Sequence, residues 1–266
     1  MRVVVCVKAV PSTTEVKMDP ETNTIVRDGK QAVINPFDAS ALEVALAASD
    51  AAAQTGADPV HVTALSMGIP ATETLLRDCI ARGADDALLL SDRAFAGADT
   101  LATTYALSCG INALGGTPDL VVCGKMAVDG DTAQIGPELA GSMDIPCITD
   151  VSEILSLEDG VIVARHAVDD GEEVVKVKLP AVITVSKDIA QLRMPSIAGV
   201  RIARDAQVKV LDATHAHADA ARCGLAGSPT QVVRSFVPEH DHVSVSIEGT
   251  AAEQAEELAK ICEGIA

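Results

Sequence analysis

The stretch DLVVCGKMAVDGDTAQIGPEL occupies residues 119–139 and combines two local patterns. The residues from Leu120 to Gly124 are apolar, which is typical of a strand buried on both faces of a parallel sheet. The residues after Gly124 include acids, glycines, a threonine and an amide, which is the composition of a turn that leads into a helix. A strand followed by a helix indicates an α/β fold, in which ligands bind beyond the carboxyl ends of the strands.

The same alternation recurs along the first half of the chain. Apolar segments at 2–8, 60–67, 86–92 and 146–151 predict further strands, and alanine-rich segments near 37–54, 70–82 and 99–114 predict helices. Asn35 with Pro36 is typical of a helix start, and Gly83 of a helix end. We therefore expect an α/β fold with a parallel twisted sheet and helices on both faces, plus a small antiparallel hairpin and a C-terminal arm.

The hairpin and the second half depart from this alternation. Residues 15–29 read as a two-stranded hairpin, and short strands at 161–168, 172–179 and 181–186 follow the main pattern. An irregular stretch leaves Met194 and Ile197 exposed, and a last helix is expected from about 250 to 264. We expect a nucleotide-binding α/β domain at 1–190, a loop at 191–205, and an arm with a helix at 206–266.

The composition disfavours several functional classes. Acids outnumber bases by 38 to 20, a net charge of −18, so the surface repels nucleic acid and anionic lipid. No apolar run reaches the roughly 18–20 residues of a membrane span and no signal segment opens the chain, so we expect a cytoplasmic protein without membrane insertion. The seven cysteines contain no CxxC pair, and the histidine pairs at 215 and 217 and at 240 and 242 lack further ligands. We therefore expect no metal site.

The turn after Gly124 has two interpretations. Asp131 with Gln134 can form a capping box for a helix that begins near Thr132, with Pro137 disturbing its first turns. Alternatively, the glycines at 124, 130 and 136 let a ligand approach the backbone, and free amides at the helix start favour a phosphate. Cations such as Lys8 or Lys125 would then offset the acids. The loops at 34–38 and 66–68 converge on the same edge of the sheet, which favours a nucleotide pocket.

The helix expected after the third strand begins with a polar segment. Asp99 and Thr100 can cap it, and Thr103 and Thr104 place two hydroxyls in its first turn. Such hydroxyls could hydrogen-bond a planar polar ring that lies at the sheet edge, although helix capping alone also explains them.

Seven segments of the chain together resemble the beta subunit of an electron transfer flavoprotein. They are VVCVKAVP (4–11), NPFDASALEVAL (35–46), ALSMG (64–68), ARGADDALLLSD (81–92), GKMAVDGDTAQIGPELA (124–140), LPAVITV (179–185) and GLAGSPTQVV (224–233). The resemblance covers nearly the whole chain. It implies a fold related to the adenine nucleotide alpha-hydrolases and a heterodimer with an alpha subunit that holds a flavin. It also implies a redox carrier with no catalytic residue of its own, since the cofactor performs the chemistry.

The resemblance further implies which residues contact an adenine nucleotide. They lie at the first strand, at the start of the first helix, after the second strand and in the long loop after Gly124. The implied cofactor-binding residues are Cys6, Lys8, Asn35, Pro36, Phe37, Asp38, Ser66, Met67, Gly68, Gly124, Lys125, Met126, Ala127, Val128, Asp129, Gly130, Asp131, Thr132, Ala133, Gln134 and Ile135. In the common members of the family this nucleotide is a structural AMP.

Three segments are similar to an electron-bifurcating subgroup of that family. They are SDRAFAGADTLATTYAL (91–107), the hairpin at 15–29 and the loop at 128–139, whereas LDATHAHAD (211–219) departs from the subgroup's tryptophan-containing pattern. Members of this subgroup bind FAD in place of AMP and accept hydride from NADH. They divide the electrons between an acyl-CoA dehydrogenase and ferredoxin or flavodoxin. The resemblance then implies that Asp99, Thr100 and Thr103 lie near the flavin ring and the NADH site.

The segment RMPSIAG (193–199) matches the family's recognition loop, which implies that Met194, Pro195 and Ile197 dock into the partner dehydrogenase. Packing of this loop on its own subunit is the alternative. Two rival functions also remain at this point. One is an AMP-binding subunit that does not bifurcate electrons, and the other is a stand-alone nucleotide-binding regulator that resembles universal stress proteins.

Overall fold

The computed structural model describes residues 1–12, 32–233 and 246–264. It divides into two compact units, Met1–Val232 and Val233–Ala266. The hairpin expected at 15–29 lies outside the described residues. The strands that bracket it, β2 and β3 below, pair antiparallel with each other.

Eleven strands are described, nine of them in one sheet. In chain order they are β1 Arg2–Cys6, β2 Ala9–Pro11, β3 Ala32–Ile34, β4 His61–Met67, β5 Asp86–Leu90, β6 Leu120–Gly124, β7 Cys147–Glu158, β8 Val161–Val168, β9 Gly171–Lys178, β10 Ala181–Val185 and β11 Lys209–Leu211. The large sheet has the order β11-β5-β4-β1-β6-β10-β7-β8-β9. The strands from β11 to β7 are parallel, and β7, β8 and β9 form an antiparallel meander.

The helices cover both faces of the parallel strands. They are α1 Pro36–Thr55, α2 Glu73–Arg82, α3 Thr100–Ala113, α4 Ile135–Met143, α5 Ile197–Asp205 and the short α6 Gly224–Gly227, with α7 Ala251–Glu263 in the second unit. One apolar cluster joins the sheet to α1 and α2, and a second joins it to α3 and α4. The expected α/β class is confirmed. In the described part of the chain, no helix combines the length and apolar character of a membrane span.

Small residues allow the helices to approach the sheet closely in a chain that has no tryptophan. Within β1, Val3 and Val5 belong to one cluster and Val4 and Cys6 to the other, as expected of a strand buried on both faces. On α3, a Cβ added at Gly110 would lie only 3.0 Å from Leu90 and 3.1 Å from Leu65. Alanine, valine and leucine therefore fill the core at short helix-to-sheet distances.

The second half of the chain contributes more strands to the large sheet than its sequence suggests. The strand expected to end at residue 151 continues to Glu158, and β10 inserts between β6 and β7. The first compact unit continues past residue 190 to Val232, and β11 within it pairs with β5. The expected irregular stretch at 191–205 contains a helix, α5, whose start is capped by the Ser196 hydroxyl, which accepts from Gly199 N–H at 2.9 Å.

Parallel pairing brings the ends of the inner strands to one edge. Cys6, Met67, Leu90, Gly124 and Val185 are the last residues of β1, β4, β5, β6 and β10. The segments that follow these strands therefore meet along this edge, where an open α/β sheet binds its ligands.

Candidate functional site

Asn35 connects the first helix to the loop that follows β6. It is the N-cap residue of α1, as expected, but its side chain makes no capping hydrogen bond. Its amide nitrogen instead donates to the carbonyl oxygen of Met126 at 2.8 Å, and its Oδ1 accepts from the N–H of Val128 at 3.1 Å. Because Asn35 is completely buried, this two-way contact holds the backbone of the loop against the start of α1.

Asp38 fastens the same junction to two strand ends. One carboxylate oxygen accepts from the N–H of Lys8 at 2.8 Å, and the other accepts from the N–H of Gly124 at 3.2 Å. Burial raises the pKa of Asp38 to about 7, although hydrogen bonds from its neighbours act in the opposite direction. The first turn of α1 is thereby bound to the segments that follow β1 and β6.

Two lysine–aspartate pairs balance the charges at this edge. Lys8 Nζ lies 2.5 Å from Asp129 in the loop, and Lys125 Nζ lies 2.5 Å from Asp150 on β7. The expected role of Lys8 as a cation that offsets the loop acids therefore has a geometric basis. Lys125 is paired with an acid outside the loop.

The glycines of this region have two different roles. A Cβ at Gly124 would lie 2.4 Å from Asp38 Oδ1 and 2.7 Å from the carbonyl carbon of Phe37, and one at Gly136 would meet the methyl group of Thr184. At these two positions the packing of the protein itself requires glycine, because the helices lie directly against strand ends. Only Gly130 of the three has open space at its Cβ position.

The expected capping box at the start of α4 is also wrong. The helix begins at Ile135 rather than near Thr132, and its N-cap residue, Gln134, makes no side-chain cap. Asp131 and Ala133 both have a φ of 53°, a left-handed conformation that is uncommon outside glycine. Pro137 is the third residue of the helix, where an N–H would have no helical acceptor, so it breaks no hydrogen bond.

This edge has hydrogen-bonding capacity that the described chain does not use. The N–H groups of residues 132–136 donate to no acceptor within 1–12, 32–233 or 246–264. The hydroxyl of Ser66, near the carboxyl end of β4, is 1% exposed and likewise has no partner there. Backbone N–H groups at a helix start are suited to phosphate, and a buried hydroxyl without a partner is rare in a native protein. These donors therefore fit the phosphate group of a nucleotide.

Two of the three candidate side chains at the start of α3 form hydrogen bonds within the protein. Asp99 caps the helix by accepting from Ala102 N–H at 3.0 Å, as expected, and its second oxygen accepts from the N–H and the hydroxyl of Thr230. The Thr100 hydroxyl donates to Glu138 of α4 at 3.0 Å. Among Asp99, Thr100 and Thr103, only Thr103 has a polar side chain without a partner in the described part of the chain.

Sequence reasoning missed Glu138 as a residue of this region. Its two carboxylate oxygens accept from the hydroxyls of Thr100 and Thr104, at 3.0 and 2.8 Å, so that it braces α4 against α3. Glu138 lies within the stretch quoted first, but its partners are on a helix more than thirty residues earlier. The only local signal was an acid in a first helical turn, which is common.

Other candidate residues lie at strand ends and on the exposed segment after β10. Gly68 follows β4, and its N–H donates to Leu90 of the next strand at 3.0 Å. Cys6 and Cys123 are register partners on β1 and β6, and both are buried, as expected. A hydrogen bond with Cys6, together with burial, raises the pKa of the Cys123 thiol, so it is not a nucleophile at neutral pH. Met194 and Ile197 are 83% and 86% exposed.

Comparison with known proteins identifies the family. A model described as "Electron transfer flavoprotein domain" matches residues 22–216. The electron transfer flavoprotein subunit beta of Megasphaera elsdenii is 43% identical over 243 residues, which cover 90% of this chain and 88% of that protein. The chain belongs to the electron transfer flavoprotein family. The resemblance to its beta subunits is confirmed.

Two further relatives of this electron transfer flavoprotein subunit have more specific names. The caffeyl-CoA reductase-Etf complex subunit CarD of Acetobacterium woodii is 41% identical over 254 residues, or 96% of this chain and 94% of that protein. Protein FixA of Azotobacter vinelandii is 40% identical over 245 residues, or 90% and 85% of the two chains. The family match decides against the rival of a stand-alone stress-protein regulator.

Replacing Gly124 with alanine should destabilise the subunit. The added Cβ would collide with the backbone of Phe37 and with Asp38, so we expect a loss of about 1–3 kcal/mol in the free energy of unfolding, measured by urea denaturation. Gly130→Ala is the matched control, because its Cβ position is open. Equal stability of the two variants would contradict the close packing of α1 on the end of β6.

Asp38→Asn should change how stability depends on pH. Between about pH 4 and pH 7 the unfolded chain loses the Asp38 proton while the folded chain keeps it, so the wild-type free energy of unfolding falls as pH rises. Above about pH 7 both states are ionised and this contribution is constant. Urea denaturation from pH 5 to 8 should show the variant gaining stability relative to wild type up to pH 7 and not beyond.

The exposed Asp58→Asn makes the same chemical change away from this junction and serves as the control for the pH series. A difference between wild type and Asp38→Asn that stays constant from pH 5 to pH 8 would show that Asp38 does not retain its proton in the folded subunit.

Proposed function

We propose that this chain is the beta subunit of a heterodimeric electron transfer flavoprotein that binds FAD and takes part in NADH-dependent electron bifurcation. The adenosine diphosphate part of the FAD would lie along the edge formed by Cys6, residues 35–38, residues 66–68 and residues 124–135. A bound FAD would supply the exchange of a hydride with NADH and the transfer of single electrons to two acceptors. The acceptors would be an acyl-CoA dehydrogenase and a ferredoxin or flavodoxin.

The observation that carries this proposal is the unused hydrogen-bonding capacity of the sheet edge. The consecutive N–H groups of residues 132–136 suit the oxygens of a phosphate, and the buried Ser66 hydroxyl lies near the end of a neighbouring strand. The left-handed conformations of Asp131 and Ala133 are a further sign of a backbone shaped for a ligand. Asn35 and Asp38 hold this backbone in place before a nucleotide arrives, which lowers the ordering that binding requires.

The balance of charge supports a bound anion in an acidic protein. The net charge of −18 repels a nucleotide at long range, so attraction must come from local groups. Pairing with Lys8 cancels the charge of Asp129, and pairing with Lys125 cancels that of Asp150. The amides of the loop then act without the opposition of those two carboxylates.

The choice of FAD over AMP rests on the start of α3. Both nucleotides would use the same adenosine edge, and only FAD has a ring system that requires further partners. The hydroxyl of Thr103 has no partner among the described residues and is available for that ring. Asp99 and Thr100, by contrast, are already engaged by Thr230 and Glu138. AMP in a subunit that does not bifurcate electrons is the alternative.

The partners are proposed from the names of relatives and from exposed apolar side chains. CarD is named as a subunit of a complex with a caffeyl-CoA reductase, which supports a partner that acts on CoA esters. Met194, Pro195 and Ile197 would dock into this partner, since two of them are almost fully exposed. The helix α7 would pack on the alpha subunit, since it exposes Leu258 and Ile261. A cytoplasmic location is also a proposal.

Cofactor content tests the proposal directly. The chain would be co-expressed with its alpha subunit, and the nucleotides of the purified heterodimer would be extracted and quantified. We expect two FAD per heterodimer. One FAD with one AMP would replace the proposal by its alternative, and one FAD without AMP would remove the nucleotide from this edge.

Replacing Thr103 tests where the ring lies. Thr103→Phe would fill the space beside the start of α3, so we expect at least a tenfold slower oxidation of NADH, with heterodimer assembly unchanged in gel filtration. Thr103→Val removes the hydroxyl at nearly constant volume and should have a smaller effect, of about 0.5–1.5 kcal/mol in activation free energy. NADH kinetics that match wild type in Thr103→Phe would exclude this position for the ring.

A further inference from the structure

Met194 and Ile197 are exposed on a segment whose backbone is bound to α1 and α2 at several points. The segment runs from residue 187 to residue 206, between the end of β10 and β11. It contacts α1 and α2 through side chains that the proposed cofactor site does not use. The most elaborate of these contacts is made by Arg193, the residue directly before Met194.

Arg193 is held by two carboxylates of α1. Its Nη2 and Nε lie 2.8–3.1 Å from the carboxylate oxygens of Glu43, and its own backbone N–H donates to Glu43 at 2.9 Å. Its Nη1 lies 2.8 Å from Asp50, two helical turns further along α1. The Arg193 side chain is 32% exposed, so solvent screens these contacts only in part. A forked guanidinium held at both ends fixes geometry more strictly than a single ion pair does.

Three further anchors hold the backbone on both sides of Met194. The guanidinium of Arg82 donates to the carbonyl oxygen of Arg193. The hydroxyl of Ser40 lies 2.7 and 2.8 Å from the carbonyl oxygens of Lys187 and Ala190. Beyond Met194, a Cβ at Gly199 would lie 2.1 Å from the carbonyl oxygen of Ala81, so the start of α5 rests directly on the end of α2.

The segment divides its apolar side chains between the core and solvent. Ile189 and Leu192 pack against the core and contribute to the stability of the fold, whereas Met194 and Ile197 are exposed and do not. The buried side chains, the ion pairs and the hydrogen bonds together hold the backbone, while Met194 and Ile197 stay exposed. The arrangement suits recognition, since a fixed backbone reduces the loss of entropy on docking and the flexible Met194 side chain adapts to a pocket.

We propose that Arg193, held by Glu43 and Asp50, is a positioning residue that presents Met194 and Ile197 to the partner flavoenzyme. This inference rests on the proposed docking role of those two side chains. It adds that docking strength depends on a contact with α1 that does not itself touch the partner.

The test uses Arg193→Met in the complete heterodimer with a purified acyl-CoA dehydrogenase that accepts electrons from the wild-type heterodimer. We expect the KM for the dehydrogenase to rise about 3- to 10-fold, with kcat nearly unchanged, because the loop must be ordered on docking. Cofactor content and the NADH-dependent reduction of a small redox dye should match wild type. Arg193→Lys should recover part of the loss, since it keeps the charge but not the fork.

Arg165→Met is the matched control. Arg165 on β8 also contacts two acids, Glu153 and Glu172, with a side chain that is 38% exposed. The control removes the same charge from the antiparallel meander, so we expect its KM for the dehydrogenase to match wild type. A similar rise in KM in both variants would overturn the proposal and indicate a general effect of charge.

A double-mutant cycle that combines Arg193→Met with the loop variant Met194→Ala, Ile197→Ala separates positioning from simple stability. If Arg193 acts by presenting these two side chains, adding Arg193→Met to the loop variant should leave its KM nearly unchanged. Hydrogen exchange of the amides at 187–199 should be faster in Arg193→Met than in wild type. Additive effects on KM, or unchanged hydrogen exchange, would overturn the proposal.

Electron transfer from the wild-type heterodimer to the dehydrogenase separates a failure of the proposed docking function from a failure of the positioning role. If the wild type transfers electrons to no acyl-CoA dehydrogenase, then the proposed docking function fails and the role of Arg193 fails with it. If wild type transfers electrons and Arg193→Met has the same KM, only the positioning role is overturned.

Discussion

The first turn of α1 is bound to two strand ends at once, and the candidate site depends on this junction. Asp38 accepts N–H groups from Lys8 and Gly124, while Asn35 clasps the loop at Met126 and Val128. Gly124 makes the contact possible, since no side chain fits between the end of β6 and the helix. Without this junction the loop at 125–134 would keep its contacts with Lys8, Asp150 and Val185 but would lose its connection to the start of α1.

The junction also explains why a polar loop can be ordered at the end of a buried strand. The loop satisfies part of its backbone through Asn35 and neutralises Asp129 through Lys8. It leaves a run of N–H groups without acceptors among the described residues, which would be costly unless a ligand or water used them. In the proposed function, the phosphates of the nucleotide would use them.

The same helix, α1, also holds a second segment of the chain, the one around Met194. Through Glu43 and Asp50, α1 holds Arg193 and with it the exposed segment around Met194. The side chains of one helix therefore hold both the loop of the proposed cofactor site and the segment of the proposed docking surface. This is a consequence of its length of 20 residues and of its packing against β1, β6 and β10.

Local patterns in the sequence determined most of the architecture. The apolar strands, the alanine-rich helices, the cap at Asp99 and the exposure of Met194 all follow from short-range periodicity and composition, and the order of motifs identified the family. Contacts between distant segments could not be determined in this way. Asn35 looked like a helix cap, Gly124 looked like an opening for a ligand, and Glu138 was not singled out. Only the folded sheet brings Met126, Phe37 and Thr100 beside them, because a side chain's partner depends on which strand ends become neighbours.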